Sequence, residues 1–158
     1  MTTSAPDPGP ASPPAGRIAL VIGSVVGRSG GAERIFVELA NMLVNRGYDV
    51  TCLTFEEEEG RPFYPLDPRV ELINVAPRYP LPRRAPLKWL TSKRFPMAWR
   101  NAAEWHLKKD HVVWLLRDYF RNTRPDVAIS FLPPANTPTL LAARGTGVKV
   151  IPTNHNVP

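Results

Sequence analysis

Apolar runs alternate with amphipathic stretches along most of this chain. Residues 17–23, RIALVIG, are continuously apolar and end in glycine. Such a run predicts a strand buried on both faces. Gly27, Gly30 and Gly31 interrupt the pattern. Over residues 32–46 the apolar positions Ile35, Leu39, Met42 and Leu43 fall at helical spacing, and Gly47 is placed to end that helix. Residues 48–55, YDVTCLTF, predict a second buried strand. Strand, glycine-rich turn, helix and strand make a βαβ unit with a right-handed crossover. The run EEEE at 56–59 reads as a solvated loop. Residues 69–76 alternate well enough for a third strand, nearer an edge. Residues 98–122 contain no proline or glycine and predict one or two helices. Residues 125–131, PDVAISF, predict another buried strand, LPPAN a turn, residues 137–144 a short helix ended by Gly145 and Gly147, and residues 148–153 the last strand.

Strands alternating with helices predict an α/β fold: a doubly wound, mostly parallel, Rossmann-like sheet with helices on both faces. In such sheets ligands bind outside the carboxyl ends of the strands, where the strand order reverses. Three segments leave predicted carboxyl ends: GRSGG after the first strand, LPPAN after the fourth, and NHN after the last. A doubly wound sheet brings all three to one edge.

Composition sets limits on this picture. A chain of 158 residues suits one domain and is too short for two ordinary ones. Five of the 19 prolines lie in residues 1–16, which have no basic n-region and no apolar h-region. That segment reads as a disordered tail, not a secretory signal, and leaves residues 17–158 as the domain. No apolar run approaches the ~20 residues a membrane span needs. Cys52, the single cysteine, lies inside an apolar run and reads as a buried structural thiol in a reducing compartment. The net charge of +6 is uneven: residues 78–124 hold 12 of the 20 Lys and Arg but only three acids. All four tryptophans lie there too. This insert reads either as helices packing aromatics inward or as an interfacial surface for anionic membrane. The membrane-facing candidates are Arg83, Arg84, Lys88, Trp89, Lys93, Arg94 and Trp99. The expected location is the cytoplasm, peripheral on the inner face of the plasma membrane. No nucleic-acid-binding motif accompanies the charge, so no nucleic-acid partner is expected.

The candidate chemistry lies at the strand ends. Gly27, Gly30 and Gly31 match neither the P-loop spacing nor the dinucleotide fingerprint. Adjacent glycines opening a helix still let a ligand approach the backbone, and a helix N-terminus favours an anion. The other reading is a plain tight turn. Asn154, His155 and Asn156 form a dense polar run after the last strand, with His155 a candidate acid or hydrogen-bond donor. His106 and His111 have no partner at metal-ligand spacing, and no metal is expected. Glu56 and Glu57 stand where a ribose-binding acid of a nicotinamide domain would sit, but the glycine spacing opposes that reading.

The segments SGGAERIFVELANMLVNRGYDVTCLTF, DPRVELINV and RPDVAISFLPPANTPTLLAARGTGVKVIPTNHN together resemble the N-terminal half of family-4-type glycosyltransferases. The resemblance covers about residues 17–158, and GGAER before the helix is its most specific element. It implies a GT-B fold and retaining transfer of a hexosyl group from a nucleotide-sugar to a lipid-linked or polysaccharide acceptor, without a cofactor or a metal. It implies that Ser29, Gly30 and Gly31 lie near the donor diphosphate and acceptor, and that Asn154, His155 and Asn156 line the cleft, with His155 as the catalytic candidate. Where relatives carry Glu-Arg in that run, this chain has Asn154-His155. Glu33 is expected to complement the first helical turn, and Arg34 to face either cleft or solvent. The family places donor contacts in a second domain that 158 residues do not include. The expectation is a gene fragment, a truncated frame, a split enzyme or an isolated domain, inactive alone; a split enzyme would pair with a separately encoded C-terminal domain. The alternative is a non-catalytic module that binds an acceptor or a membrane.

Overall fold

The computed structural model of the chain describes residues 15–56, 60–75, 96–97 and 111–154. Five strands and three helices lie within them: β1 (Arg17–Val21), α1 (Gly31–Asn45), β2 (Asp49–Thr54), β3 (Glu71–Asn74), α2 (His111–Thr123), β4 (Val127–Phe131), α3 (Leu132–Ala143) and β5 (Lys149–Thr153). The strands form one sheet in the order β3-β2-β1-β4-β5. Every pairing is parallel, with Leu20 opposite Cys52 and Ile129. The order reverses between β1 and β4, and all five carboxyl ends lie on one edge. This is the α/β, Rossmann-like architecture that the alternating pattern predicts, with β3 at an edge.

Both faces of β1 are buried because its side chains alternate between two cores. Leu20 and Ile22 pack with Phe36, Val37, Ala40 and Leu43 of α1. Ala19 and Val21 pack with Leu115, Leu116 and Phe120 of α2 and with Ala135 and Ala142 of α3. Cys52 is fully buried and free, and desolvation pushes its thiol pKa far up, as expected for an inert structural cysteine. Phe120 is buried and Tyr119 packs against the same core. The inward-packing reading therefore holds for this part of the basic aromatic segment. Trp114 is 54% exposed. Arg83, Arg84, Lys88, Trp89, Lys93, Arg94 and Trp99 lie outside the described residues. Among the described residues, no helix is long and apolar enough to cross a membrane.

The ends of α1 follow from sequence. Gly47 adopts φ +84°, which lets the Tyr48 N–H reach the Leu43 carbonyl at 3.2 Å and the Gly47 N–H reach Val44 at 3.1 Å. That pair of bonds is a Schellman stop. Arg117 of α2 donates to the Leu141 and Ala142 carbonyls, satisfying the end of α3 and locking the two helices together.

One expected element is different. LPPAN is no free turn, because α3 begins directly at Leu132. Leu132 takes a left-handed φ of +68°, which reverses the chain within one residue. Pro133 and Pro134 then fall in the first turn, where an absent N–H costs nothing. Pro138 also sits inside the helix, buried. Pro133 and Pro134, which suggested a turn, instead start a helix.

Phe131 closes β4 and meets Phe36 edge-to-face, with centroids 5.3 Å apart at 85°. Both rings are 1% exposed. Truncating Phe131 to Ala opens a cavity between α1 and the sheet and should cost about 3–5 kcal/mol. Urea unfolding monitored by circular dichroism measures it; a loss below 1 kcal/mol would refute this account of the core.

Candidate functional site

The carboxyl edge of the sheet is built from the loop after β1, the segment after β2, the first turn of α3 and the residues following β5. Neighbouring strands lie roughly 4.8 Å apart, so the ends of β1 and β5 are separated only by β4, about 10 Å in all.

The loop after β1 is held from below by Glu56. Glu56 lies two residues past the end of β2 and is 8% exposed. Ser24 Oγ donates to Glu56 Oε2 at 2.6 Å, and the Val25 and Val26 N–H groups donate to the same oxygen at 3.2 and 3.1 Å. Two successive backbone N–H groups around one anion form a nest, and an internal carboxylate fills it. The expectation of a solvated acidic loop is corrected at this residue. Neither is Glu56 free to serve as a ribose ligand, since its oxygens face the β1 loop. The sequence pattern offers Glu56 as part of a solvated loop or as a ribose-binding acid, and the signal against solvent is its position two residues past the buried run of β2.

A strap from residue 60 to 67 lies beside the same loop. Pro62 forms an antiparallel bridge with Val26. A Cβ at Gly60 would stand 2.7 Å from Val26 Cγ1, so the two segments touch closely only because residue 60 is glycine. Tyr64 Oη donates to the Ser29 carbonyl at 2.8 Å. Asn41 of α1 donates to the Pro65 carbonyl and accepts from the Asp67 N–H. Arg69 grips Asp67 and reaches Asn45.

The upper part of the loop is open. Residues 27–31 are all exposed. Gly27 has φ +62° and needs to be glycine for that reason. Gly31 is different: its φ is ordinary, and a Cβ there would meet nothing within 4 Å. Among the described residues, nothing requires glycine at residue 31. Gly30 is the N-cap of α1, and no side chain caps the helix there. The carboxylate of Glu33 lies over Gly30, against the space a Cβ would take, so Glu33 does complement the first turn. Arg34 faces solvent and pairs with Glu38 at 2.7 Å, both side chains well exposed.

Across the switch point, a polar triangle joins β4, α3 and β5. Ser130 Oγ donates to Asn136 Oδ1 at 2.8 Å, Asn136 Nδ2 donates to the Thr153 carbonyl at 3.0 Å, and Thr153 Oγ1 donates to the Ser130 carbonyl at 2.9 Å. The triangle fixes where the chain leaves β5, and Asn154 is exposed immediately beyond it. His155 and Asn156 lie outside the described residues. Ser130 and Asn136 were missed in the sequence because a buried strand residue and a proline-flanked asparagine carry no distinctive pattern. Among the described residues, no group of three His, Cys, Asp or Glu side chains could hold a metal ion.

A five-stranded parallel sheet with helices on both faces and an exposed glycine loop at its switch point defines a Rossmann-like α/β domain. Residues 30–158 match the Glycosyl transferase 4-like domain, and the chain belongs to that family. The fold is similar to that of Phytolacca americana UGT2, a glycosyltransferase solved with UDP-2fluoro-glucose and pterostilbene, at TM-score 0.51 and 16% identity over 88% of this chain. The chain spans 30% of the length of UGT2. The C-terminal domain of the PF1911 hydrogenase from Pyrococcus furiosus aligns at TM-score 0.49 and 15% identity, over 94% of this chain and all of that domain. No curated protein matches the chain.

Two predictions test the support of the loop. Replacing Glu56 with Ala strands the Ser24 hydroxyl and the Val25 and Val26 N–H groups, at about 1–3 kcal/mol for each donor left without water. Amide exchange at Val25 and Val26 should accelerate at least tenfold, and unchanged protection would count against the nest. Arg69, through its side chain and its backbone N–H, holds the Asp67 carboxyl down to about 2. A depressed carboxylate contributes stability that is complete above the ordinary value of 3.8 and is lost as pH falls through about 2. Between pH 4 and 2 the chain should therefore lose more stability than Asp67→Asn does; parallel curves would refute the brace.

Proposed function

We propose that this chain is the acceptor-side half of a two-domain, retaining glycosyltransferase that moves a hexosyl group from a nucleotide-sugar to a glycan or lipid-linked acceptor. The family match over residues 30–158 carries this reading. The open loop at residues 27–31, standing at the switch point of the sheet, supports it. Transfer leaves a nucleoside diphosphate, and charge grows on its oxygens as the glycosidic bond breaks. Fixed backbone N–H groups at the start of α1 stabilise that charge without reorganising. Among the described residues, nothing requires Gly31 to be glycine, which fits close approach of a ligand to the backbone.

In this reading Ser29, Gly30 and Gly31 approach the diphosphate and the acceptor, while Asn154, His155 and Asn156 form the opposite wall. His155 is the proposed catalytic contributor. The donor is proposed to be brought by a second domain, so the 158-residue chain alone transfers no sugar. Contact of residues 78–124 with an anionic membrane belongs to the same proposal and is supported by their charge.

Titrating the labelled chain with inorganic pyrophosphate, then with UDP, should shift the amide resonances of Gly30 and Gly31. Gly31→Ala should weaken that binding at least fivefold and change stability by less than about 1 kcal/mol, since alanine suits a helix start. No shift at these amides, or an indifferent Gly31→Ala, would overturn the reading. Sugar transfer by the purified chain in a coupled assay would overturn its inactivity alone.

A further inference from the structure

Phe63 is 61% exposed and lies in the strap beside the glycine loop. A single exposed phenylalanine is ordinarily unremarked surface. This one differs in how firmly it is held. The residue before it, Pro62, is bridged to Val26, and the residue after it, Tyr64, is bonded through its hydroxyl to the Ser29 carbonyl. Its ring meets Tyr64 edge-to-face, with centroids 5.1 Å apart at 81°. Tyr64 itself packs into the α1 core. The residues on either side of Phe63 are thus anchored, and its ring is braced against Tyr64 while staying largely exposed.

We propose that Phe63 is a stacking platform for a pyranose ring of the acceptor, and so a specificity-determining residue. This rests on the glycosyltransferase reading above. The C–H face of a pyranose matches one phenyl ring in size and is drawn to the negative face of its π-system. A ring fixed in advance loses little freedom on binding. The surroundings favour a sugar over a lipid chain. Arg28, Ser29, Gly30, Gly60 and Arg61 around the strap and loop are exposed and polar or lack a side chain, and such groups suit sugar hydroxyls. A lipid chain needs a contiguous apolar patch, and among the described residues of the strap and loop the exposed neighbours named above are polar or lack a side chain. The sugar can come from a free glycan or from the head of a lipid-linked one; the platform recognises the ring in both.

The test uses the full chain with ¹³C-labelled phenylalanine rings, titrated with methyl α-D-glucopyranoside, methyl α-D-mannopyranoside and methyl α-D-galactopyranoside. At least one should shift the Phe63 ring resonances saturably, at millimolar half-saturation. Phe63→Ala should weaken that sugar's binding at least tenfold, read from the loop amides, and Phe63→Trp should retain it. Phe63 is exposed, so an unchanged amide spectrum elsewhere confirms folding of both variants. No saturable shift with any of the three glycosides overturns the proposal, as does binding indifferent to Phe63→Ala. Binding of dodecyl maltoside below its micelle concentration without binding of the methyl glycosides means that a lipid tail is recognised, and also overturns it. Pyrophosphate shifts at Gly30 and Gly31 without glycoside binding leave the glycosyltransferase reading standing and sink only the platform. Glycoside stacking without pyrophosphate shifts does the reverse.

Discussion

The carboxylate of Glu56, buried between the ends of β1 and β2, decides the shape of the candidate site. Three donors converge on it from the β1 loop, two of them successive backbone N–H groups. A loop leaving a buried strand has N–H groups that no sheet partner can satisfy, and leaving them bare would cost more than most single contacts return. Glu56 resolves that need from within the chain. The lower loop is thereby closed to ligands, and the upper loop, residues 27–31, is set in place above it. The strap at residues 60–67 then packs on a loop that is already fixed. Phe63, Tyr64 and Ser29 owe their relative positions to this order of support.

Most of the fold was legible in the sequence because the parallel sheet is buried on both faces. Such strands are continuously apolar, and RIALVIG, YDVTCLTF and PDVAISF stand out for that reason alone. Glycine punctuation was equally readable: Gly47, Gly145 and Gly147 all adopt the positive φ that their positions suggested. The first turn of α3 was not readable. Proline there has two opposite meanings, loop or helix start, and local pattern does not separate them. The choice is made at Leu132, whose left-handed backbone turns the chain from β4 directly into α3.

The site was legible as a location more than as a set of contacts. Strand order follows from the βαβ pattern, and strand order brings the β1 loop, α3 and the end of β5 to one edge. Which side chains tie that edge together is set by contacts distant in sequence. Ser130 and Asn136 meet Thr153 only because β4 and β5 are adjacent, and Tyr64 meets Ser29 across 35 residues. Glu56 illustrates the difficulty best. In a run of four glutamates the simplest expectation is solvent, and only the register of β2 shows that the first of them falls inside.

The loop also has a balance of charge that bears on what it can bind. Helix α1 begins without a side-chain cap, so its first N–H groups project a partial positive charge toward the open edge. Glu33 leans its carboxylate over Gly30 and offsets part of that charge. An anionic ligand at Gly30 and Gly31 must therefore displace Glu33 or share the helix end with it. The displacement is cheap, because Glu33 is a flexible side chain near solvent, whereas Glu56 is buried and bound by three donors. The two glutamates thus divide the loop between them. One is an internal anion that shapes the turn, and the other lies over Gly30 at the exposed helix end.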